Sequence, residues 1–480
     1  MPSRVERNKK KQNRLKTKIQ SMPRKTAIII SIHILILITV IFIQDLDYSA
    51  KVALFAFLCA MTLWVTTKFS AGWVAMALIA FIILMNAAEP DLLYSSLSEK
   101  VVWLMIGAFI IGEAVKKSGL AERLTMFILS KSNKKENVVL GLSSVLFASA
   151  FFIPSTSGRA ALSMPIIKQI SEKFTSKEQS VLAIIAPVII LMSTSATLIG
   201  AGSHLIGVGF LESTAGKSIS YIQWLIWGVP FALVVTLLSL IVIKWTLWPR
   251  DSAEELESVE TTPLIKPLEK DEKKTMILIL FLIIGWMTES LHGLDIELIT
   301  VIGAILFMMP NFGIISWKQG MNAVSWNLVM FVAAATALGK VLVDTGIVEW
   351  MESEMISVLH LFVGAPDWLI VLMILTITVT SHLYITSHTT RAIVFIPGLI
   401  LFSELIGVNP STVVFLSLIG MNYCVTVPVS SKALLLFYEE GDISYDARNL
   451  IKLSAILMPL YIFIIMLFYF TIWQWTGMHL

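Results

Sequence analysis

Charged side chains are scarce. Asp, Glu, Lys and Arg make up 14% of the 480 residues, where a soluble domain carries roughly a quarter. With 56% apolar residues and a mean hydropathy of +0.81, that scarcity excludes an ordinary water-soluble globule. It points to a chain that crosses a bilayer many times. Cysteine is scarcer still. Cys59 and Cys424 are far apart in apolar stretches, which excludes a disulfide framework and a thiolate metal motif. The seven histidines show no zinc-ligand spacing. Neither a phosphate loop nor a Ser/His/Asp order is present, so an enzyme is set aside and no cofactor is expected.

The charge that is present is unevenly placed. Residues 1–25 hold ten Lys and Arg against Glu6 alone. The apolar run after them reaches Gln44-Asp45 without a small-residue cleavage site, which reads as a cytoplasmic basic tail and a true spanning helix. Beside a membrane helix this tail sets topology; no nucleic acid partner is expected. Further apolar runs lie at 26–44, 51–67, 72–88, 101–115, 180–212, 221–248, 275–290, 296–310, 326–343, 410–438 and 449–475. Counting from an inside N-terminus, Lys116, Lys117, Arg123, Lys131, Lys134, Lys135, Lys244 and Arg250 fall inside. Asp45, Asp47, Glu89, Asp91, Glu349, Glu352 and Glu354 fall outside.

That agreement requires 138–170 and 366–406 to enter and leave on one side, as re-entrant hairpins. The predicted fold is an all-α polytopic membrane protein of about 11 transmembrane helices and two re-entrant hairpins. Its halves, 26–249 and 275–480, have inverted topology and are joined by a charged cytoplasmic linker, 250–274.

Both hairpins carry the same polar string. Ser155-Thr156-Ser157-Gly158-Arg159-Ala160, then Pro165, returns 232 positions later as Ser387-His388-Thr389-Thr390-Arg391-Ala392, then Pro397. A duplicated polar break in an apolar chain marks a transporter of two related halves with the site between them. A second match, Gly112 before Ser118-Gly119-Leu120 and Gly339 before Thr345-Gly346-Ile347, supports duplication. Locally it reads as helix ends capped by glycine.

Non-helical backbone at membrane depth survives where protein or a water-filled cavity surrounds it. Hydroxyls and free N–H groups at such a tip make an anion site, although tip oxygens also suit Na⁺, and small residues also serve close packing. The paired arginines favour the anion. Arginine at mid-bilayer costs roughly 2.5–3.5 kcal/mol on insertion scales, and guanidinium suits carboxylate or sulfate. Pairing with a backbone carbonyl is the alternative. His388 reads as a donor to the anion or a proton carrier, with a structural histidine as the alternative.

Each half also supplies a candidate unwound helix. One runs through Thr197, Gly200, Gly202 and Ser203 to His204; the other through Thr426, Pro428, Ser430, Ser431 and Lys432. Pro428 breaks a helix, and Lys432 adds a third intramembrane cation. Close packing around glycine is the alternative for each.

These strings resemble the divalent anion:sodium symporter family, over about 50–478. The run Phe152-Ile153-Pro154-Ser155-Thr156-Ser157-Gly158-Arg159 is most similar to the 2-oxoglutarate/malate translocator and citrate/succinate antiporter branch. The resemblance implies a homodimer in the plasma (inner) membrane, in contact with lipid, with scaffold and elevator-type transport domains and a small divalent anion as substrate. The family's signature is Ser-Asn-Thr at each tip; here the asparagine is Thr156 and His388. Its Gly-Thr-Pro-Pro-Asn loops are reduced to Gly200-Ala201-Gly202-Ser203-His204 and Val429-Ser430-Ser431-Lys432. In sodium-coupled members those asparagines and loops hold Na⁺, so the departures argue against Na⁺ coupling. Fixed cations then partly replace Na⁺, which favours anion exchange. Two near-symmetric sites suit a ligand with two anionic ends, hence four- or five-carbon dicarboxylates such as malate, succinate or 2-oxoglutarate. The alternatives are a Na⁺-coupled dicarboxylate or sulfate symporter and a cation/proton antiporter. The latter needs an intramembrane carboxylate, and Glu113 and Glu289 are the acids expected near helix interiors.

Overall fold

The computed structural model describes residues 24–67, 69–120, 123, 134–153, 155–249, 267–347, 350, 353–354, 362, 364–439 and 443–480. The tail 1–23, most of the linker (250–266), Lys131, Pro154, Glu349 and Glu352 lie outside the described residues. Ahead of the linker run α1 (Arg24–Phe42), α2 (Tyr48–Thr66), α3 (Ala71–Leu84), α4 (Asp91–Ser96) and α5 (Lys100–Lys117). They are followed by α6 (Lys135–Ala148), α7 (Thr156–Ser171), α8 (Ser176–Ser193), α9 (Gly202–Ala215) and α10 (Tyr221–Leu247). After it come α11 (Lys270–Met287), α12 (Glu289–His292), α13 (Ile296–Met308), α14 (Trp317–Ala323) and α15 (Trp326–Asp344). The chain closes with α16 (Asp367–Thr380), α17 (His388–Leu405), α18 (Pro410–Asn422), α19 (Lys432–Glu439) and α20 (Ala447–Phe468).

Four helical segments are by length and composition sufficient to cross a membrane: Ser176–Ala196, Tyr221–Leu247, Trp326–Asp344 and Ala447–Thr476. Shorter apolar helices, α1, α3, α13, α16 and α18 among them, accompany these. Large apolar side chains such as Ile34, Leu35 and Phe42 face outward. Exposed tryptophans sit near helix ends: Trp73, Trp103, Trp245, Trp326 and Trp368. An amphipathic ring at that level is an interfacial anchor.

The runs 180–212 and 410–438 were each expected as one apolar segment with an unwound centre, and each is broken. Between α8 and α9 lie two short 3-10 turns, Thr194–Ala196 and Leu198–Gly200. Between α18 and α19 lie non-helical residues and the turn Pro428–Ser430. Clustered hydroxyls compete for backbone groups, and Pro428 lacks an N–H. Helices α6 and α16 have 14 residues each, about 21 Å of rise, short of a bilayer core of about 30 Å. Each stops in a 3-10 turn, Ser149–Phe151 and Ser381–Leu383, and the chain returns through α7 and α17. The starts of α6, its turn and α7 recur 232 positions later in α16, its turn and α17.

The linker boundary moves. Lys270–Lys274 are already helical because Glu269 and Glu272 form a capping box at the start of α11. Gly119 and Gly346 end α5 and α15 in the left-handed region, at φ of 78° and 70°. That is the capped-end reading of the second repeated match.

The two parts of the chain pack crosswise. Helix α5 lies along α13 and α15 along α3; likewise α7 meets α19 and α9 meets α17. One buried acid was not expected. Glu178, in the first turn of α8, is fully buried and accepts from Lys135 Nζ at 2.9 Å. With Glu272, also buried, it adds to Glu113 and Glu289, the acids expected near helix interiors.

Candidate functional site

Ser155 caps α7, its Oγ accepting from Gly158 N–H at 3.1 Å. Ser387 caps α17 in the same way, accepting from Thr390 N–H at 3.2 Å. Serine is among the best N-caps because its hydroxyl satisfies a free helix donor. The two tips face one cleft of about 460 Å³. Ser155, Thr156 and Ser157 form one part of its wall, and Ser387, His388 and Thr389 another. Gly202 and Ser203, expected in an unwound loop, open α9, and Lys432 opens α19 just after Ser431.

Six helices therefore begin at the cleft: α3 at Ala71, α7, α9, α15 at Asn327, α17 and α19. Each N-terminus carries about half a positive charge and unpaired N–H groups. Lys432 adds a full one, and among the described residues the lining contains neither aspartate nor glutamate. The charge that the described residues bring to this space is therefore positive. Phe109, Leu328 and Phe331 make an apolar part of the wall. This wall of α3, α5 and α15 was missed in the sequence, because apolar helices carry no local mark of what they face. Ser325-Trp326-Asn327, a polar pair at the mouth of an apolar run, was the available signal.

Other expected residues stand behind the wall. Arg159 and Arg391 are buried and line none of the cleft. Arg159 donates to Ser193 Oγ at 3.1 Å, Thr194 Oγ1 at 2.5 Å and the Gly200 carbonyl at 3.4 Å. It thus ties the tip of one hairpin to the break between α8 and α9. Arg391 donates to the Tyr423 carbonyl at 3.3 Å, just past α18. Its other nitrogens have the Cys424 thiol, a weak acceptor, beside them and meet no better partner. The two arginines occupy equivalent places and brace equivalent breaks.

Thr197, Gly200, Thr426, Pro428 and Ser430 also sit outside the lining. Thr197 Oγ1 donates to the Ala150 carbonyl at 2.8 Å, joining the first break to the turn before the hairpin tip. Thr426 bridges His382 Nε2 and Ser454 Oγ, both at 2.7 Å. His204 and Asn422 were not expected as a pair. His204 Nε2 lies 3.1 Å from Asn422 Oδ1, and Asn422 Nδ2 donates to Ser195 Oγ at 3.0 Å. Thus the end of α18 holds the break of the other part of the chain. Cys424 Sγ lies 3.2 Å from His388 Nε2.

A second cavity of about 400 Å³ shares Ser155 and Ser157 with the cleft and reaches Glu113 and Lys116. The tip of α7 is therefore the partition between the two spaces.

Among the described residues, no group of three or more His, Cys, Asp or Glu is placed to hold a metal. What the cleft offers is hydroxyls, backbone donors and a cation, a donor set that takes an anion with several oxygens.

Known proteins agree on the class. A citrate/succinate antiporter of Escherichia coli (strain K12) is 24% identical over 392 residues, covering 77% of this chain and 78% of its own. A sodium-dependent dicarboxylate transporter of Staphylococcus saprophyticus is 22% identical over 472 residues, covering 89% of each. A putative malate transporter of Bacillus subtilis (strain 168) is 25% identical over 308 residues, covering 60% of this chain and 62% of its own. Among solved structures, the YdaH transporter of Alcanivorax borkumensis shares the fold with a TM-score of 0.58 at 11% identity, over 90% of this chain and 99% of that one. The family described as "Sodium:sulfate symporter transmembrane region" matches residues 23–479. The chain belongs to this divalent anion:sodium symporter family and is an integral membrane transporter.

Proposed function

We propose that this transporter exchanges four- or five-carbon dicarboxylates across the plasma (inner) membrane through the cleft between the two tips. The observation that carries the reading is the convergence of six helix N-termini and Lys432 on a space lined by neither aspartate nor glutamate. Such a cleft is electrostatically incomplete until an anion enters, and a dianion completes it better than a monoanion. A site left positive when empty resists crossing an apolar barrier. Crossing loaded in both directions is exchange.

In this reading the N-terminus is cytoplasmic, and the two parts of the chain are inverted repeats. The hairpins with their broken helices move as an elevator against a scaffold built on α3, α5, α13 and α15, in a homodimer. The crosswise packing and the 232-residue recurrence support the repeat. The substrate class rests on relatives named for citrate and succinate, for malate and for dicarboxylates. One of them is named sodium-dependent, so Na⁺ symport is the second reading. Thr156 and His388 at the tips weigh against it, since a histidine brings no carbonyl oxygen to a hard cation.

The test is calorimetric titration of the purified protein with succinate in Na⁺-free buffer. Binding without Na⁺ is expected; binding that appears only when Na⁺ is added would overturn the reading in favour of symport.

A further inference from the structure

Three histidines lie around the cleft, and their partners differ. His204 is fully buried and has both ring nitrogens engaged, Nδ1 with the Thr197 carbonyl at 3.1 Å and Nε2 with Asn422. His382 is buried and also fully engaged, Nδ1 with the Val379 carbonyl at 2.6 Å and Nε2 with Thr426. His388 lines the cleft and has one partner, the Cys424 thiol on Nε2. Its Nδ1 is buried and has none. A buried nitrogen without a partner needs an explanation, and a ligand absent from the empty protein is one.

The charges around His388 set the sign. Arg391 lies one turn further along its own helix, Arg159 stands behind the wall of the other hairpin, and His204 and His382 stand on α9 and the turn after α16. Cys424 faces it from the break after α18, and Lys432 shares the cleft from α19. These neighbours are cationic or neutral, and no carboxylate lines the space. In the empty protein an imidazolium would add one more positive charge to a positive field with no carboxylate beside it among the described residues. A bound dianion reverses that field within a few ångströms and favours the protonated ring.

We infer that His388 takes up a proton from solution when a dianion binds, so that this transporter carries H⁺ together with its anion. The inference rests on the cleft being the dianion site. With the Nε2 hydrogen toward the Cys424 sulfur, Nδ1, covered in the empty protein, accepts the proton as the ring turns toward the cleft, and then donates to an anionic oxygen. No bond other than N–H forms, and the proton leaves with the anion on the far side. Two linked consequences follow. Binding of the anion withdraws protons from solution, and by reciprocity acid strengthens anion binding.

The probe is fumarate, which stays a dianion across the neutral range, so its own titration does not contribute. The purified full-length protein is titrated at about pH 7 in HEPES and in Tris, whose ionisation heats differ. A heat less exothermic in Tris, the buffer with the larger ionisation heat, than in HEPES reports a proton taken up, expected at roughly half to one per fumarate. Apparent affinity is expected to rise up to about tenfold per unit fall in pH. In His388→Gln, with fumarate binding retained, both effects are expected to vanish, while in His382→Gln both are expected to persist. If His388→Gln does not bind, His204→Gln and Lys432→Gln are titrated beside His382→Gln, and loss of proton uptake in any of them that still binds would overturn the assignment to His388. Equal heats in both buffers with clear binding would overturn the proton role and leave the dianion site standing. Proton uptake that persists in His388→Gln would overturn the assignment. No fumarate binding at millimolar concentration would overturn both.

Discussion

At the scale of single residues, charge divides into what meets the ligand and what holds the backbone. Lys432 begins α19 at the cleft, at a helix end where a cation is disfavoured by the dipole. Its position makes sense if an anion sits against it. Lys432→Gln is expected to weaken succinate binding about ten- to a hundredfold, the worth of a charge-assisted hydrogen bond of about 1.5–3 kcal/mol. Lys432→Arg is expected to retain most of it; calorimetry on both variants checks this, and unchanged affinity in the glutamine variant would contradict it. Arg159 acts differently, through Ser193, Thr194 and Gly200. Arg159→Ala and Arg391→Ala are expected to cut uptake at least tenfold in normally inserted protein. Arg159→Lys is not expected to restore it, because one ammonium on a flexible stem lacks the guanidinium fork that meets two hydroxyls at once. Uptake like the wild type's in both alanine variants would contradict a role for the pair. The sequence exposed these arginines because a charge in an apolar stretch is conspicuous. It could not say which way a long side chain reaches, and both reach backward, into the breaks, away from the cleft.

At the scale of elements, the polar strings, the helix breaks and the glycine-capped ends of α5 and α15 were legible, since each is a local departure from an apolar pattern. The opposing wall was not. Phe109, Asn327 and Phe331 reach the cleft only through the packing of α3, α5 and α15, a long-range fact without local sign. The Lys135–Glu178 pair shows the same limit. Thr175 and Glu178 form a capping box, but the buried partner of the carboxylate lies 43 residues earlier. Glu178→Ala would leave the Lys135 ammonium buried without its carboxylate, at a cost of about 3–5 kcal/mol. A marked fall in the thermal midpoint in detergent is expected, and an unchanged midpoint would contradict the pairing. Gly228 tests a break directly. The Ser195 carbonyl, which also accepts from Trp224 Nε1 at 3.1 Å, presses against the place where a Cβ on residue 228 would stand. Gly228→Ala is therefore expected to displace the break between α8 and α9 and to lower uptake although residue 228 lies outside the cleft lining. Transport equal to wild type would show that the break tolerates the shift.

At the scale of the whole molecule, the scarcity of charge and the recurrence at 232 positions led to a membrane transporter before any helix was placed, and the resemblance of its polar strings led to this family. Substrate and coupling are finer matters, because they depend on how few charges face one space. That space is walled by six helix N-termini and Lys432. The central claim is that this fixed positive charge stands in for sodium, so that anions cross in exchange for one another. Uptake of labelled malate into proteoliposomes tests it, with and without trapped dicarboxylate and with and without a Na⁺ gradient. The account predicts uptake that requires internal dicarboxylate and is indifferent to Na⁺; uptake driven by Na⁺ into empty vesicles would contradict it.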